Sequence, residues 1–141
     1  MIIDASALIA ILRAEPGASE MAHAIERAPD RRISAANWLE TAVVIDASRD
    51  PVASRRFDEL VQTAELHVEP VTHDQARIAR DAYRDFGKGS GHKAGLNLGD
   101  CFAYALAKTS GQALLFKGND FGHTDITPAI PALPGDPKER Q

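Results

Sequence analysis

Cysteine is almost absent from the chain. Among 141 residues there is one, Cys101, and aromatic residues make up only 6%. A single thiol forms no internal disulfide, and without a second cysteine nearby it offers no zinc-binding spacing. Chains without disulfides are typical of reducing compartments, so we expect a cytoplasmic protein. The hydrophobic content of 44% is enough, at this length, to build the core of one domain.

Long apolar runs are also missing. The most apolar stretch, 5–12, is far too short to cross a bilayer, and no basic segment precedes it. The sequence therefore predicts neither a membrane helix nor a signal peptide, and we expect no membrane partner.

Basic residues are in the minority, with 16 Lys and Arg against 20 Asp and Glu, a net charge of −4. Taken alone, this balance argues against a nucleic-acid binder, because such domains usually carry a basic excess. Segment 77–93 reverses it, because its basic residues outnumber its two acids, Asp81 and Asp85. The basic residues are Arg77, Arg80, Arg84, Lys88 and Lys93. Arg84, Lys88 and Lys93 are candidate RNA contacts. For the three arginines, a solvated helix face paired with these acids is the alternative.

Short apolar runs alternate with helical patterns, which predicts an α/β domain built around a mainly parallel sheet. We expect strands at 1–3, 32–33, 66–71 and 113–116. We expect helices at 5–13, 19–27, 35–48, 51–64, 72–86 and 99–108. A glycine-rich basic loop, 87–95, precedes the last helix.

The helix at 72–86 has the clearest pattern. A capping box, Thr72 to Gln75, is predicted to open it. Its apolar positions recur at spacings of three and four and are expected to face the core. These positions are Ala76, Ala79, Ala82, Tyr83 and Phe86.

Two carboxylates stand where a solvated surface role explains them poorly. Asp4 follows the first strand, at the end of a parallel sheet where ligands bind, and the Ser6 hydroxyl can support it. Glu40 is the only charged residue between Ile33 and Ile45. A buried carboxylate without a partner is costly, so Glu40 requires a cation or strong donors nearby.

Two further acids have ordinary explanations when taken alone. Asp100 opens a helix, where it complements the helix dipole, and Asp120 follows a strand, where turn-forming Asp is common. Gathered with Asp4 and Glu40, they would repel one another unless a divalent cation lay between them. An all-oxygen ligand set favours Mg²⁺ or Mn²⁺. We expect Asp4 and Asp100 to lie closest to the metal, in a centre suited to phosphodiester hydrolysis.

Four segments resemble the PIN-domain ribonucleases, and most closely the VapC toxins of bacterial toxin–antitoxin pairs. They read MIIDASAL from Met1, WLET around Glu40, LNLGDCFAYALA around Asp100 and LLFKGNDF ending near Asp120. The resemblance covers 1–126 and implies a three-layer α/β/α sandwich with Mg²⁺- or Mn²⁺-dependent endoribonuclease activity. It also implies an acidic quartet, with Ser6 in support, that consists of Asp4, Glu40, Asp100 and Asp120.

The resemblance further places helices 5–12 and 19–27 at a groove for a cognate antitoxin, and we expect a homodimer. We assign 1–127 to the nuclease domain and 128–141 to a proline-rich tail that matches no motif of the family. The alternative is a PIN-type nuclease outside toxin–antitoxin pairs, acting in RNA processing or on structured DNA.

Two other classes of protein with clustered acids each require an Asp at one particular position. A receiver-like phospho-acceptor requires an Asp after its central strand, and the strand expected to be central, 66–70, has none. A phosphatase with an Asp nucleophile requires a second Asp two residues after Asp4, where Ser6 stands. The glycine-rich segment 87–93 looks like a phosphate-binding loop, but its Lys is followed by Ala94 and not by the Ser or Thr that such a loop needs.

Overall fold

The structure, a computed structural model, describes residues 1–131. Within them, four parallel strands form one sheet in the order β3-β2-β1-β4. The strands are β1 (Ile2–Ile3), β2 (Arg32–Ser34), β3 (His67–Glu69) and β4 (Leu114–Leu115). The helices are α1 (Ala5–Leu12), α2 (Ala18–Arg27), α3 (Ala35–Asp46), α4 (Pro51–Thr63), α5 (His73–Phe86) and α6 (Leu98–Ser110). A short 3₁₀ helix, Phe121–His123, follows β4.

The two faces of the sheet bury different sets of helices. Successive side chains of a strand point to opposite faces. Ile2 and Leu114 accordingly pack with α5 and α6, whereas Ile3 and Leu115 pack with α1, α2, α3 and α4. These two cores confirm the predicted three-layer α/β/α sandwich.

The central strand is β1, which lies between β2 and β4. The chain leaves β1 toward β2 on one side, and β4 pairs with β1 on the other side. The carboxyl ends of β1 and β4 therefore border a switch point, where open α/β sheets bind ligands. Asp4 follows β1 at this point.

The expectation that 66–70 forms the central strand is wrong. β3 pairs only with β2 and lies at the edge of the sheet, where Val68 is 39% exposed. Asp4, not a residue of β3, follows the central strand. The argument that no Asp occupies this position in a receiver-like site is therefore also wrong.

The buried face of α5 differs from the prediction. Gln75, Ala79 and Ala82 are buried, whereas Ala76 and Tyr83 are exposed. Ala79 and Ala82 pack with residues of α6 in one core cluster, and Ala76 and Tyr83 lie outside it. Only half of the predicted capping box is present, because Thr72 Oγ1 accepts from Gln75 N (3.1 Å) while the Gln75 side chain is buried.

The residues after the 3₁₀ helix return to the sheet. Leu114 N donates to Thr127 O (2.9 Å), and Ala129 N donates to Leu114 O (2.8 Å). Ala129 and Ile130 pack against the core on the Ile3 face. The domain boundary at 127 stays a prediction, and 132–141 of the proposed tail lie outside the described residues. In the part of the chain that the structure describes, no helix has the length and apolar character needed to cross a membrane.

Candidate active site

Asp4 connects β1 to α1. Its backbone N donates to Leu115 O (2.9 Å), and its Oδ2 caps α1 by accepting from Ser6 N (3.0 Å). The side chain is 3% exposed, and Oδ1 has no hydrogen-bond partner among residues 1–131. Burial raises the pKa of Asp4 to about 7, against the hydrogen bonds of Ser6, and the charges of Asp100 and Glu40 add to the rise. Asp4 is therefore a buried carboxylate whose negative charge is only partly compensated by hydrogen bonds.

Ser6 contacts both Asp4 and the loop that follows β4. Its backbone N–H holds Asp4, and its Oγ accepts from Lys117 N (3.0 Å) in the loop that follows β4. The Lys117 side chain pairs with Glu15 beyond the end of α1 (2.9 Å). Ser6 thus links the start of α1 to the loop that leads to Asp120.

Asp100 lies in the first turn of α6, where a full capping box is formed. Asp100 N donates to Asn97 Oδ1 (2.8 Å), and Asn97 N donates to Asp100 Oδ2 (3.0 Å). Burial raises the pKa of Asp100 to about 6, opposed by the Asn97 hydrogen bond and reinforced by Asp120 and Glu40. The ordinary capping role and a place in the acidic cluster therefore coexist in this residue.

Glu40 reaches the site from the middle of α3. Its Oε1 accepts from Asn37 Nδ2 (3.3 Å), and the same nitrogen donates to Gly99 O (2.9 Å), one residue before Asp100. Asn37 is fully buried, and its Oδ1 has no partner within residues 1–131. The sequence analysis missed Asn37. The available signal was a polar residue three positions before Glu40, on the same face of an apolar helix.

Asp120 is exposed at the start of the 3₁₀ helix. Its loop is anchored by Phe121, which is 3% exposed and stacks near Phe116 with ring centroids 5.1 Å apart. Further along, Asp125 accepts from Tyr104 Oη (2.7 Å) and from Lys108 Nζ (2.8 Å) of α6. These contacts hold Asp120 near Asp100, whose pKa its charge raises.

The four predicted acids thus form one electrostatic neighbourhood at the switch point, although they come from four separate segments. Glu40 and Asp100 act on Asp4, while Glu40 and Asp120 act on Asp100. No three His, Cys, Asp or Glu side chains within 1–131 are arranged as a ready set of metal ligands. Mg²⁺ usually binds one or two carboxylates directly and keeps several waters. The donor set and the unpartnered Asp4 Oδ1 fit such a hydrated cation.

The basic residues divide into two groups. Arg84 pairs with Asp81 (3.4 Å) and Asp85 (3.1 Å), the solvated arrangement that was the alternative to an RNA contact. Lys88 and Lys93 are exposed and form no ion pair within the described residues. Their loop is closed by hydrogen bonds between the backbones of Lys88 and Leu96 (2.8 Å) and of Leu96 and Phe86 (2.9 Å). Leu96 immediately precedes the cap of α6, so the loop is joined directly to the helix of Asp100.

Comparison with known proteins identifies the family. The sequence model of the PIN domain matches residues 1–126. The chain belongs to the PIN-domain family. It is 58% identical over 130 residues to Ribonuclease VapC28 of Mycobacterium tuberculosis, covering 92% of this chain and 98% of that protein. It is 50% identical over 129 residues to Ribonuclease VapC42 of the same species, with the same coverage. Within the PIN family, the chain therefore belongs to the VapC group.

Solved structures of low sequence identity share the PIN fold. Mycobacterium tuberculosis VapC20, described as a sarcin–ricin loop cleaving toxin, matches with a TM-score of 0.69 at 16% identity. That match covers 89% of this chain and 95% of VapC20. A toxin–antitoxin complex from Klebsiella pneumoniae gives a TM-score of 0.63 at 20% identity, covering 85% of this chain and 88% of that one. The central strand that precedes Asp4 is thus that of a PIN domain and not that of a receiver.

Replacing Asp4 by Asn is expected to stabilise the metal-free PIN domain near neutral pH. The pKa of Asp4 is about 7 in the folded state against an ordinary value of 3.8, so Asp4 binds more protons in the folded state between these values. The contribution of Asp4 to the stability of the wild type therefore falls as the pH rises from about 4 to about 7. One pKa unit corresponds to about 1.4 kcal/mol, so Asp4→Asn removes a decline on the order of a few kcal/mol. Asn caps helices as well as Asp does, so α1 should be preserved.

Urea unfolding in EDTA at pH 4 to 8 measures this difference, with the exposed Asp58→Asn as the control that follows the wild type. An Asp4→Asn curve that runs parallel to the wild-type curve over the whole range would contradict the assignment.

Proposed function

We propose that this protein is the toxin of a type II toxin–antitoxin pair and acts as a Mg²⁺- or Mn²⁺-dependent endoribonuclease in the cytoplasm. The observation that carries the proposal is the buried Asp4 carboxylate, which has an oxygen without a partner among residues 1–131 and lies near the charges of Glu40 and Asp100. Identity of 50–58% to proteins named VapC ribonucleases favours this role over that of a PIN nuclease outside toxin–antitoxin pairs.

In the proposed site, Asp4 and Asp100 hold the cation, and Glu40 and Asp120 contact its waters or complete a second site. A bound Mg²⁺ would polarise a phosphoryl oxygen and lower the pKa of the attacking water. Ser6 N–H and the α6 capping box fix the orientation of Asp4 and Asp100 before any cation arrives. Because the pKa values of both acids are raised, cation binding releases protons below neutral pH and is favoured as the pH rises.

Cleavage of RNA should require both the metal and Asp100. EDTA should abolish cleavage, and Mg²⁺ or Mn²⁺ should restore it. Asp100→Asn should reduce the rate at least roughly a hundredfold, because a ligand charge that holds the cation is lost. Asn at this position can still accept from Asn97 N, so the circular dichroism spectrum should not change.

The assay digests bulk cellular RNA with purified protein and maps the new 5′ ends. Asp58→Asn, an exposed acid on α4, is the matched control and should cleave at the wild-type rate. Cleavage at the wild-type rate by Asp100→Asn, or by the wild type in EDTA, would refute the metal-dependent mechanism.

A cavity beside α1 is the proposed binding place for the antitoxin. Its volume is about 270 Å³, and it lies between α1, α2 and α4. Two charged residues, Glu26 and Arg31, lie in its wall. The other lining residues are mostly apolar or small: Ile11, Ala22, Ile25, Leu60, Thr63 and Ala64. A C-terminal antitoxin segment with apolar anchors would fit this groove and could extend a basic side chain toward the four acids.

Exposed apolar side chains support the proposed homodimer. Leu39 and Val43 are 56% and 59% exposed and lie one turn apart on α3. Leu98, at the start of α6, is 64% exposed, and α3 packs against α6. Burying such side chains against a second copy would remove apolar surface from water.

Light scattering after size exclusion tests both partners in the inactive Asp4→Asn background, which avoids toxicity. The protein alone should have twice the mass of one chain, and co-expression with the product of the adjacent gene should give a larger complex. Ala22→Arg should fill the cavity and prevent the complex while leaving the dimer intact. Val52→Arg, on the exposed surface of α4, is the control that should leave both intact.

A monomer at tens of micromolar would contradict the homodimer. Failure of the adjacent product to co-purify with the control, or its retention by Ala22→Arg, would contradict the antitoxin site.

Lys88 and Lys93, in the glycine-rich basic loop 87–95, are the proposed contacts to RNA phosphates. Replacing Lys88 and Lys93 by Gln should flatten the slope of log K against log salt by roughly 0.7 per lost contact with single-stranded RNA. Arg84→Gln should change the slope less, because Arg84 is already paired with Asp81 and Asp85.

Fluorescence anisotropy with labelled single-stranded RNA measures the slope in the Asp4→Asn background. As the control, the same two lysine replacements are made with Asp4 intact, and their affinity for Mn²⁺ should equal that of the wild type. An unchanged salt slope in the double lysine variant would show that RNA binds elsewhere on the surface.

A further inference from the structure

The amide of Asn37 joins two helices at the acidic site. Asn37 has no exposed surface, and its Nδ2 donates both to Glu40 Oε1 (3.3 Å) and to Gly99 O (2.9 Å). Glu40 belongs to α3, whereas Gly99 lies in the first turn of α6, next to Asp100. One nitrogen therefore holds a carboxylate of α3 against the part of α6 that carries another.

Gly99 provides the space that this contact needs. A Cβ atom at position 99 would lie 2.2 Å from Glu40 Oε2 and 2.8 Å from Oε1. The requirement comes from the size of the residue, since Gly99 lies within a helix and its backbone is not left-handed. The Glu40 carboxylate thus rests directly on the backbone of α6.

The other end of the amide indicates that packing alone does not explain Asn37. Its Oδ1 is buried and has no hydrogen-bond partner within 1–131. An unsatisfied buried acceptor destabilises a fold, and such groups are often found where function requires them. The neighbouring Thr41 differs, because its Oγ1 is satisfied by donating to Asn37 O (2.8 Å).

We infer that Asn37 is a positioning residue, which holds the Glu40 carboxylate beside Asp100 so that both can act on one hydrated cation. The inference rests on the proposed metal-dependent function. Asn37 itself acts through Glu40. Its loss should therefore matter only while the Glu40 carboxylate is present.

The test measures two quantities for each purified variant: the dissociation constant of Mn²⁺ alone, by calorimetry, and kcat and KM for RNA cleavage. Asn37→Ala should weaken Mn²⁺ binding and lower kcat by roughly 10- to 100-fold, as is usual for residues that orient metal ligands. KM should change little. Thr41→Val is the matched control, because it is equally buried on the same helix, and it should lower only the melting temperature.

A double-mutant cycle separates positioning from general destabilisation. In a Glu40→Ala background, Asn37→Ala should change the Mn²⁺ affinity less than about twofold, because there is no carboxylate left to hold. An equal loss in both backgrounds would overturn the inference. If Glu40→Ala itself behaves like the wild type, the proposed role of Glu40 fails, and the positioning role fails with it.

Gly99→Ala tests the same contact from the other helix and remains informative if Asn37→Ala does not fold. The three atoms nearest to the added methyl group all belong to the Glu40 carboxylate, at the end of a flexible side chain, so the fold should persist while the carboxylate is displaced. Affinity for Mn²⁺ and kcat should fall as in Asn37→Ala, with no decrease in melting temperature. Wild-type affinity and kcat in Gly99→Ala would overturn the inference.

Discussion

The burial of one carboxylate, that of Asp4, is the constraint on which the active site depends. The central strand brings Asp4 into the core, and the fold compensates its charge only in part, through the N–H of Ser6 at the start of α1. The charges of Asp100 and Glu40 add no compensation and raise the pKa of Asp4 further. The domain therefore maintains, at the end of its central strand, a cluster of carboxylates whose charge a proton or a cation can neutralise.

Backbone contacts, more than ion pairs, hold the acidic side chains in place. Ser6 accepts from Lys117 N, Asn97 caps α6, and Asn37 binds the carbonyl of Gly99. Such contacts carry no net charge and can lie beside carboxylates without neutralising them. Lys117 takes part in this network through its backbone N–H, whereas its side-chain ammonium pairs with Glu15. The protein thus orients its acids while leaving their charge for a ligand.

Much of the fold could be predicted from local signals, because caps, prolines and apolar periods act over a few residues. The helices predicted at 35–48 and 51–64 agree with α3 and α4 within two residues at each end. The apolar sequence around Glu40 led to its prediction as a site residue. Strand order could not be predicted this way, since each crossover spans a helix or more, and 66–70 was wrongly placed at the centre. Asn37 was missed because its role depends on Gly99, 62 residues later.

The return of residues 127–129 to β4 affects how this sheet can meet other proteins. Leu114 is hydrogen-bonded by its own chain, so β4 is not an open edge along that residue. At the opposite side, β3 has three residues, of which His67 and Glu69 carry polar side chains. Short, polar or covered edges discourage strand addition. Within the described domain, association by extending the sheet is disfavoured, and the helical faces are left as the surfaces through which another chain can bind.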